Sequence, residues 1–209
     1  MNNAVLSGII SSSPQLRYTH DNKPVSEFLL AFQNASKSAA FKQIKCVGFG
    51  KLAELIAQLD QNQIVVLVGS INVINKENNG IRTKVVEFKI NALDVVNTPL
   101  SINSISLAGR TGRDPELRYF ESGTNKASVS LAVRRTSDQT DWFDLEAWDK
   151  KAEVMSNYVR KGGLIGINGQ LKFEEWTDRQ TSELRSKPVI LVTELELLSS
   201  KKEQEQEDF

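Results

Sequence analysis

Short apolar runs with the spacing of β-strands dominate the hydrophobic pattern of this chain. Alternation is clearest in the segment 129–133, where Val, Leu and Val are separated by Ser and Ala, as in a strand with one buried face. The segments 64–68 and 85–88 are rich in β-branched residues and bounded by polar turns, which also predicts strands. The pattern therefore predicts a chain built mainly of β-structure.

Helical spacing occurs in one segment of each half of the chain. In the first half, apolar residues fall at i, i+3, i+4 and i+7, one stripe over two turns, at Leu52, Leu55, Ile56 and Leu59. The corresponding stripe of the second half consists of the aliphatic stem of Lys151 followed by Val154, Met155 and Tyr158. We therefore expect one short amphipathic helix in each half.

The two halves also repeat one another. The segment 6–18 returns as 107–119, displaced by 101 positions, and both copies contain Leu-x-Gly followed by Pro-x-Leu-Arg-Tyr. The segment 49–54 returns as 148–153, displaced by 99 positions, so a loop between the matches has changed length. A period of this size is far longer than that of a solenoid repeat and close to that of a small domain. The sequence therefore predicts a duplicated domain.

Each copy has the element order of a known barrel. Three strands, a helix and two strands joined by a polar hairpin are expected, with the hairpins at 75–80 and 177–186. A five-stranded Greek-key barrel with its helix between strands three and four is the OB-fold. The predicted class is therefore all-β, with two tandem OB-folds. The expected order is a first OB domain (1–96), a linker with one proline (97–102), a second OB domain (103–198) and an acidic disordered tail (199–209).

Composition narrows the classes of function. No apolar run approaches the roughly 18 residues of a membrane span, and the start Met1-Asn2-Asn3 does not resemble a signal peptide, so a cytoplasmic location is expected. Cys46 is the only cysteine, which excludes an intrachain disulfide, and no Cys/His cluster predicts a zinc site. The carboxylates have no spacing typical of an acid/base pair. We expect no cofactor, no metal and no catalytic activity.

The charge is balanced overall but unevenly distributed. Residues 1–100 carry +3, residues 101–198 carry −1 and the last eleven carry −2, which gives the net charge of zero. A protein that binds nucleic acid through bulk attraction is usually more basic. Any nucleic-acid binding must therefore come from a local basic groove.

The second copy resembles the bacterial single-stranded DNA-binding proteins over 103–198. The resemblance rests on several motifs in family order and spacing: 107–110 (Leu-Ala-Gly-Arg), 114–119 (Asp-Pro-Glu-Leu-Arg-Tyr), 141–143 (Asp-Trp-Phe), 148–153 (Trp-Asp-Lys-Lys-Ala-Glu), 158–162, 169–171 and 176–178 (Trp-Thr-Asp). The first copy resembles the family more weakly over 3–96, through 14–18 and 49–54. The resemblance implies an OB-fold that coats single strands in replication, repair and recombination, without catalysis.

Aromatic residues are the first candidates for this binding, because bases stack on exposed aromatic rings. By resemblance to the family, Trp142 and Trp148 lie on the third strand of the second domain and Trp176 lies on its hairpin. The alternative for each is burial in the barrel core. Phe173 alternates with Leu171, so stacking and core burial are equally compatible with its position.

Basic residues are the second set of candidates, as contacts for phosphates. In the second copy, the resemblance places Arg118, Lys150, Lys172 and Arg185 at or near DNA, and Arg110, Arg134 and Arg135 are additions near strand ends. The alternative for each is a solvated surface charge. Glu174 and Glu175 depart from the family pattern, in which basic residues are usual at these positions.

The first copy departs further from the family. Gln43 stands where the second copy has Trp142, and the hairpin 75–80 has no aromatic residue. Its remaining candidates for DNA contact are Phe49, Lys45, Lys51, Arg82 and Lys84. We expect this copy to bind more weakly through charge, or mainly to complete the assembly.

The resemblance also implies partners. Family members with two OB domains per chain pair as dimers, so a homodimer with four OB domains is expected. The C-terminal Asp208-Phe209 resembles the acidic tip with which the family docks replication and repair proteins, although Asp208 replaces the usual proline. An acidic C-terminus without such a role is the alternative.

The function that these features predict is sequence-independent binding of single-stranded DNA in a cytoplasmic, nucleoid-associated protein. One alternative is an accessory protein of the primosome or of recombination that retains the fold and uses it for protein contacts. RNA binding is a third reading, since stacking on aromatic rings does not read the 2′-OH.

Overall fold

The computed structural model describes residues 1–35, 40–78, 81–178 and 182–199, with side chains described for all of these except 76–78 and 81–82. Each repeat consists of six strands and one helix. The elements of the first repeat are β1 (Asn2–Ile10), β2 (Gln15–Tyr18), β3 (Pro24–Gln33), β4 (Phe41–Phe49), α1 (Lys51–Ile56), β5 (Ile64–Asn78) and β6 (Ile81–Val96). Those of the second are β7 (Asn103–Thr111), β8 (Glu116–Tyr119), β9 (Asn125–Arg134), β10 (Thr140–Trp148), α2 (Lys150–Tyr158), β11 (Leu164–Thr177) and β12 (Leu184–Ser199).

The strand order confirms an all-β OB-fold in each repeat. The first repeat has the order β2-β3-β4-β6-β5-β1, and an additional β1–β3 pairing closes the barrel. The second has the order β8-β9-β10-β12-β11-β7, closed by a β7–β9 pairing. In the first repeat the β4–β6 pairing is parallel, and the other pairings that define its barrel are antiparallel. This arrangement is the Greek-key closure expected from the sequence.

Among the five long strands of each repeat, the helix lies between the third and the fourth, as expected; in chain order it follows the fourth strand because an additional short strand precedes it. The additional strands are the four-residue β2 and β8, which in the described part of the chain pair with the strand that follows each of them. All residues of β2 are exposed, so the segment has no buried face and no apolar alternation. Such a short edge strand gives little signal in the hydrophobic pattern.

The helices bury fewer of the apolar residues than the spacing in the sequence indicates. In α1 the buried residues are Ala53 and Ile56, while Leu55 is 60% exposed and Leu59 lies beyond the helix. In α2 they are Ala152 and Met155, and Val154 and Tyr158 are exposed. A helix of one and a half to two and a half turns contacts the barrel along a single line. The buried alanine allows the helix to approach the barrel closely, and so small a contact residue is not evident from a pattern of large apolar residues.

The predicted strands have the expected alternation of burial. Val129, Leu131 and Val133 are each at most 1% exposed, and the intervening residues are half-buried. Cys46 is fully buried on β4, and this burial raises the pKa of its thiol well above the usual value. The thiol therefore belongs to the core of the first barrel.

The described contacts divide the chain into two compact units. The larger unit comprises Asn2–Ser106 and Gly169–Leu191, and the smaller comprises Met1, Leu107–Asn168 and residues from Val192 onward. The root of the second hairpin thus belongs to the same unit as the first repeat. The sequence boundaries at 96 and 103 remain a prediction.

Residues 97–102 contain no helix or strand in the structure and run along β1. The Ser7 hydroxyl donates to the Leu100 carbonyl at 2.7 Å and accepts from the Ile102 N–H at 2.7 Å. The Ser7 N–H donates to the Ile102 carbonyl at 2.9 Å.

Among the described residues, no helix has the length and apolar character needed to cross a membrane.

Candidate nucleic-acid interface

Strands β8, β9 and β10 of the smaller unit carry a cluster of aromatic and basic side chains on one face. Their register aligns Trp148 with Lys126 and Lys126 with Arg118, and places Trp142 opposite Ala132. Directly opposed residues of an antiparallel pair lie on the same face, and so do every second residue along a strand. Trp142, Trp148, Lys126 and Arg118 therefore share one face, which we call the aromatic face.

Trp148 is at the centre of a small cluster on the aromatic face. Its ring is stacked on that of Phe120, with centroids 5.6 Å apart and an interplanar angle of 22°. Lys126 Nζ lies 5.6 Å from the Trp148 ring centroid, within cation–π range. The indole N–H donates to Glu146 Oε1 at 3.3 Å. Trp148 is thus half-buried and held on several sides, with its partner Phe120 still 43% exposed.

Trp142 lies farther along β10 and is 45% exposed. The edge of its six-membered ring fits over Gly112, where an added Cβ would lie 2.5 Å from Trp142 Cζ3 and 2.7 Å from Ser130 Oγ. Glycine at this position leaves the space in which the indole rests. Neither Trp142 nor Trp148 is a core residue, so the structure places both where a base could reach them.

The basic residues of the smaller unit differ in how they are held. Arg118 is paired with Glu116, with nitrogen–oxygen distances of 2.5 and 2.9 Å, and this hydrogen bond lowers the pKa of the Glu116 carboxyl. Arg110 is exposed and donates to the Gly162 carbonyl at 2.8 Å. Arg134 and Lys150 are exposed at the end of β9 and the start of α2. These four residues remain accessible to a phosphate.

Arg135 has a structural partner instead. It forms a two-pronged ion pair with Asp141, whose side chain is only 2% exposed, through its Nε at 2.8 Å and through Nη2. The pair joins the ends of β9 and β10. A cation held by a buried carboxylate is poorly placed to exchange it for a phosphate, because the buried charge would be left unpaired.

The larger unit contains a second candidate surface at the root of the second hairpin. A cleft of about 610 Å³ is lined by Lys172, Phe173, Glu174, Glu175, Trp176 and Lys187, and we call it the hairpin cleft. Trp176 is 44% exposed. Glu174 accepts from Lys172 at 3.3 Å and from Lys187 at 3.2 Å, so the cleft has a carboxylate between two ammonium groups.

Phe173 is a packing residue of the hairpin cleft. Its ring lies 6.1 Å from that of the fully buried Phe32, at an angle of 57°. This contact favours the core alternative that the sequence left open. Arg185 joins the two arms of the same hairpin, since its guanidinium lies 2.9 Å from Asp178 and 3.7 Å from Glu183.

The equivalent face of the first repeat is ionic. Gln43 lies opposite Ala31 in the register that places Trp142 opposite Ala132. Lys45 lies 2.7 Å from Glu27 and 3.8 Å from Glu87. The hydrogen bond from Lys45, supported by Arg17 at 3.1 Å, lowers the pKa of Glu27 against the opposing effect of its burial.

Other first-repeat candidates are spread over the surface. Phe49 is 47% exposed, with Lys89 Nζ 5.9 Å from its ring centroid. Lys51 is exposed at the start of α1, and Lys84 is half-buried on β6. The side chain of Arg82 lies outside the described part of the chain, as do both partner-docking candidates, Asp208 and Phe209.

Sequence reasoning missed Phe120, Lys126 and Lys187. Phe120 follows the short strand β8, and its only sequence signal is an aromatic residue directly after Tyr119. Lys126 and Lys187 appear as isolated surface lysines in the sequence. Their proximity to Trp148 and Glu174 depends on strand register and on the hairpin, which no local pattern specifies.

Comparisons with known proteins find relatives that match about half of this chain. A single-stranded DNA-binding protein 1 of Nostoc is 57% identical over 108 residues, which cover 51% of this chain and 91% of that protein. The single-stranded DNA-binding protein of Borreliella burgdorferi is 40% identical over 106 residues, covering 47% of this chain and 71% of the relative. These alignments cover about half of this chain and most of each relative.

Solved structures resemble the whole chain in fold. The wild-type single-stranded DNA binding protein from Thermus aquaticus has a TM-score of 0.77 at 24% identity, covering 98% of this chain and 96% of that one. A deletion mutant of that protein has a TM-score of 0.78 at 23% identity, covering 99% and 98%. The sequence model of the single-strand binding protein family matches residues 1–96 and again 102–198. The chain therefore belongs to the single-strand binding protein family.

Proposed function

We propose that this protein binds and protects single-stranded DNA without sequence preference, in replication, recombination and repair, and that it acts by binding without a catalytic step. The observation that carries the proposal is the aromatic face. There, Trp142 and the Trp148–Phe120 pair are partly exposed and lie beside Arg118, while Lys126 is held by the buried Glu146 at 3.5 Å. Stacking platforms beside basic groups are what sequence-tolerant single-strand binding requires.

Magnitudes favour stacking over charge as the main source of affinity. A base stacked on an aromatic side chain contributes about 1–3 kcal/mol. The Arg118–Glu116 ion pair is exposed to solvent, so its exchange for a contact with a phosphate has little net effect on affinity. Arg110, Arg134 and Lys150 extend the basic surroundings of the aromatic face. A protein of zero net charge can therefore bind a polyanion through a few platforms.

The hairpin cleft is a second contact region in this proposal. Trp176 offers a platform, and Lys172, Lys187 and Arg185 are the nearby cations. Lys172 and Lys187 are both paired with Glu174, so a phosphate that binds there must replace the carboxylate of Glu174 as their partner. The carboxylate thus lowers the affinity of the cleft for DNA, and the lysine–phosphate contacts make that affinity sensitive to salt.

The first repeat contributes less to binding. Phe49 is the aromatic candidate that the sequence predicts for this repeat, and Lys45 is already paired with Glu27 and Glu87. Lys51, Lys84 and Arg82 supply phosphate contacts only. We infer a weaker, charge-based interaction for this repeat.

The assembly that we propose is a cytoplasmic homodimer with four OB domains. Its C-terminal residues Asp208 and Phe209 dock replication and repair proteins, with the aromatic ring in a pocket and the acids against basic residues. Support for the dimer comes from the presence of two family matches in one chain. Support for docking is the acidic segment 203–208 with the aromatic Phe209 directly after it.

Tryptophan fluorescence during titration with poly-dT tests the main proposal. Stacked bases quench indole emission, so strong quenching is expected at low salt, with much weaker binding to duplex DNA. Poly-U in a parallel titration separates DNA from RNA preference. Absence of quenching at low salt, or equal affinity for duplex, would contradict single-strand binding.

A second candidate function is that of an accessory protein that uses the fold for protein contacts. The ionic face of the first repeat favours it, because Lys45 and Arg17 are engaged by Glu27 instead of being presented to a polyanion. Weak DNA binding together with tight binding to a replication enzyme would support this candidate. Nanomolar binding of poly-dT by the purified protein would rule against it.

A further inference from the structure

The root of the second hairpin is held by residues of the first repeat, all within the larger unit. The side-chain amide of Asn34 contacts the backbone of Phe173 twice. Its Oδ1 accepts from the Phe173 N–H at 2.8 Å, and its Nδ2 donates to the Phe173 carbonyl at 3.2 Å. Asn34 is only 5% exposed. A buried amide that satisfies both backbone groups of one strand residue replaces a neighbouring strand at that position.

Two further contacts hold the same stretch of β11. The fully buried Phe32 packs against the Phe173 ring. Lys42 forms an ion pair with Glu175, the residue directly before Trp176. Phe32 and Asn34 thus both contact Phe173, and Lys42 contacts Glu175, two residues farther along β11, the strand that carries Trp176.

The hairpin of the first repeat has the same kind of contact between an asparagine side chain and a strand backbone, but it carries no tryptophan. Asn2 Oδ1 accepts from the Ile71 N–H at 3.1 Å, and Asn2 Nδ2 donates to the Ile71 carbonyl at 2.6 Å. Ile71 lies on β5, in the arm of a hairpin that contains no tryptophan. Asn2 is therefore a matched control for Asn34.

We propose that Asn34, with Phe32 and Lys42, positions Trp176 for base stacking. The divergent first repeat thereby supports binding at the hairpin cleft, whether or not its own lysines contact DNA. A partly exposed indole on a fixed strand is pre-organised, so less conformational entropy is lost when a base stacks on it. The consequence for DNA affinity rests on the proposed function, whereas the positioning itself exists without DNA.

The first test measures positioning in the full-length chain without DNA. Trp142→Phe and Trp148→Phe leave Trp176 as the only tryptophan. In this background, Asn34→Ala should lower the fluorescence anisotropy of Trp176 and increase its quenching by acrylamide, whereas Asn2→Ala should change neither. Wild-type values in the Asn34→Ala protein would overturn the proposal.

The second test measures affinity for oligo-dT with all three tryptophans present. Asn34→Ala should weaken binding by no more than Trp176→Ala, whose loss of one stacked base corresponds to about 5- to 150-fold. Because Asn34 acts through Trp176, the double variant should bind like Trp176→Ala alone. A double variant whose losses multiply would indicate a general structural defect and overturn the positioning role.

Controls separate the possible failures. Asn34→Asp in its ionised form keeps the acceptor for the Phe173 N–H but lacks the donor, so at neutral pH it should give intermediate anisotropy and affinity even if Asn34→Ala does not fold. If the wild-type protein failed to bind oligo-dT while Asn34→Ala still lowered the anisotropy, the proposed function would be wrong and the positioning role would stand. If the wild type bound and Asn34→Asp matched it in both measurements, only the positioning role would be wrong.

Discussion

At the scale of single residues, the value of Trp148 as a platform depends on its neighbours. Phe120 lies parallel to its ring, Lys126 lies within cation–π distance and Glu146 accepts from its indole nitrogen. These contacts restrict the side chain before any ligand arrives. The tryptophan was predictable from sequence by resemblance, but its supporting partners were not, because they come from other strands.

Phe120→Ala should therefore weaken binding of oligo-dT although Trp148 is intact. The variant removes the stacked partner of Trp148 and a partly exposed ring, so a loss of about 5- to 20-fold is expected, near the lower end of the stacking range. Fluorescence titration measures the change. Tyr158→Ala, which removes an aromatic ring that is 64% exposed on α2, serves as the control and should bind normally. Equal affinity of both variants would contradict a role for Phe120.

Glu27 makes a residue-scale prediction about pH. The hydrogen bond from Lys45 lowers its pKa below the ordinary value of 4.5 in the folded protein. The stability that this carboxylate contributes is therefore fully present above pH 4.5 and is lost as the pH falls through the lower folded-state value. Glu27→Gln should be less stable than wild type near pH 7, and the difference in the free energy of unfolding should shrink as the pH falls below 4.5. Urea unfolding of both proteins at pH 7 and at a pH below 4.5 measures this difference in stability. A difference that grows on acidification would contradict a lowered pKa for Glu27.

At the scale of elements, the repeated Leu-x-Gly motif has a packing explanation. A Cβ on Gly8 would lie 2.2 Å from the Ala31 carbonyl oxygen, and a Cβ on Gly109 would lie 2.2 Å from that of Ala132. Both glycines are where the first strand of a repeat crosses onto its third strand to close the barrel. The sequence revealed the repeated glycine, while the close approach that requires it is visible only in the closed barrel.

Gly109→Ala should destabilise the protein because the clash is with backbone, which cannot rotate away. Overpacking of this kind costs about 1–3 kcal/mol in the free energy of unfolding. Gly166→Ala is the control, since its nearest neighbour is a Leu198 methyl at 3.5 Å, an ordinary contact distance. Urea midpoints of the two variants provide the comparison. Equal stability of both variants would show that the strand crossing can relax.

At the scale of the whole molecule, the two repeats share a fold and differ in surface chemistry. Exposed tryptophans occur on the second repeat, and the equivalent strand of the first carries Gln43 and the ion-paired Lys45. The duplication therefore supplies two scaffolds of the same type with different surfaces. We expect strong binding to depend on the second repeat and assembly to use both.

Mass measurement in solution tests the proposed assembly. A homodimer should have twice the chain mass of 23.3 kDa, which light scattering coupled to size exclusion resolves readily. The expected species persists at micromolar protein concentration and binds oligo-dT. A monomer under the same conditions would contradict the dimer without affecting single-strand binding by one chain.

The sequence by itself determined the duplication, the all-β class, the OB-fold and the tryptophans. These features depend on local periodicity, on repeated motifs and on residue type, all of which can be read along the chain. It did not reveal the short strands β2 and β8 or the exposed side of α1, because four exposed residues and a single small contact residue carry little periodic signal.

Only the tertiary structure decided which candidate side chains are available. In the folded protein, Arg135 is ion-paired with the buried Asp141, and Phe173 packs against Phe32. The side chain of Asn34 contacts the backbone of Phe173, 139 positions away in the chain. Such choices depend on strand register and on contacts between residues far apart in sequence. The residue type limits which interactions a side chain can make, but the distances between side chains are set only when the barrels have closed.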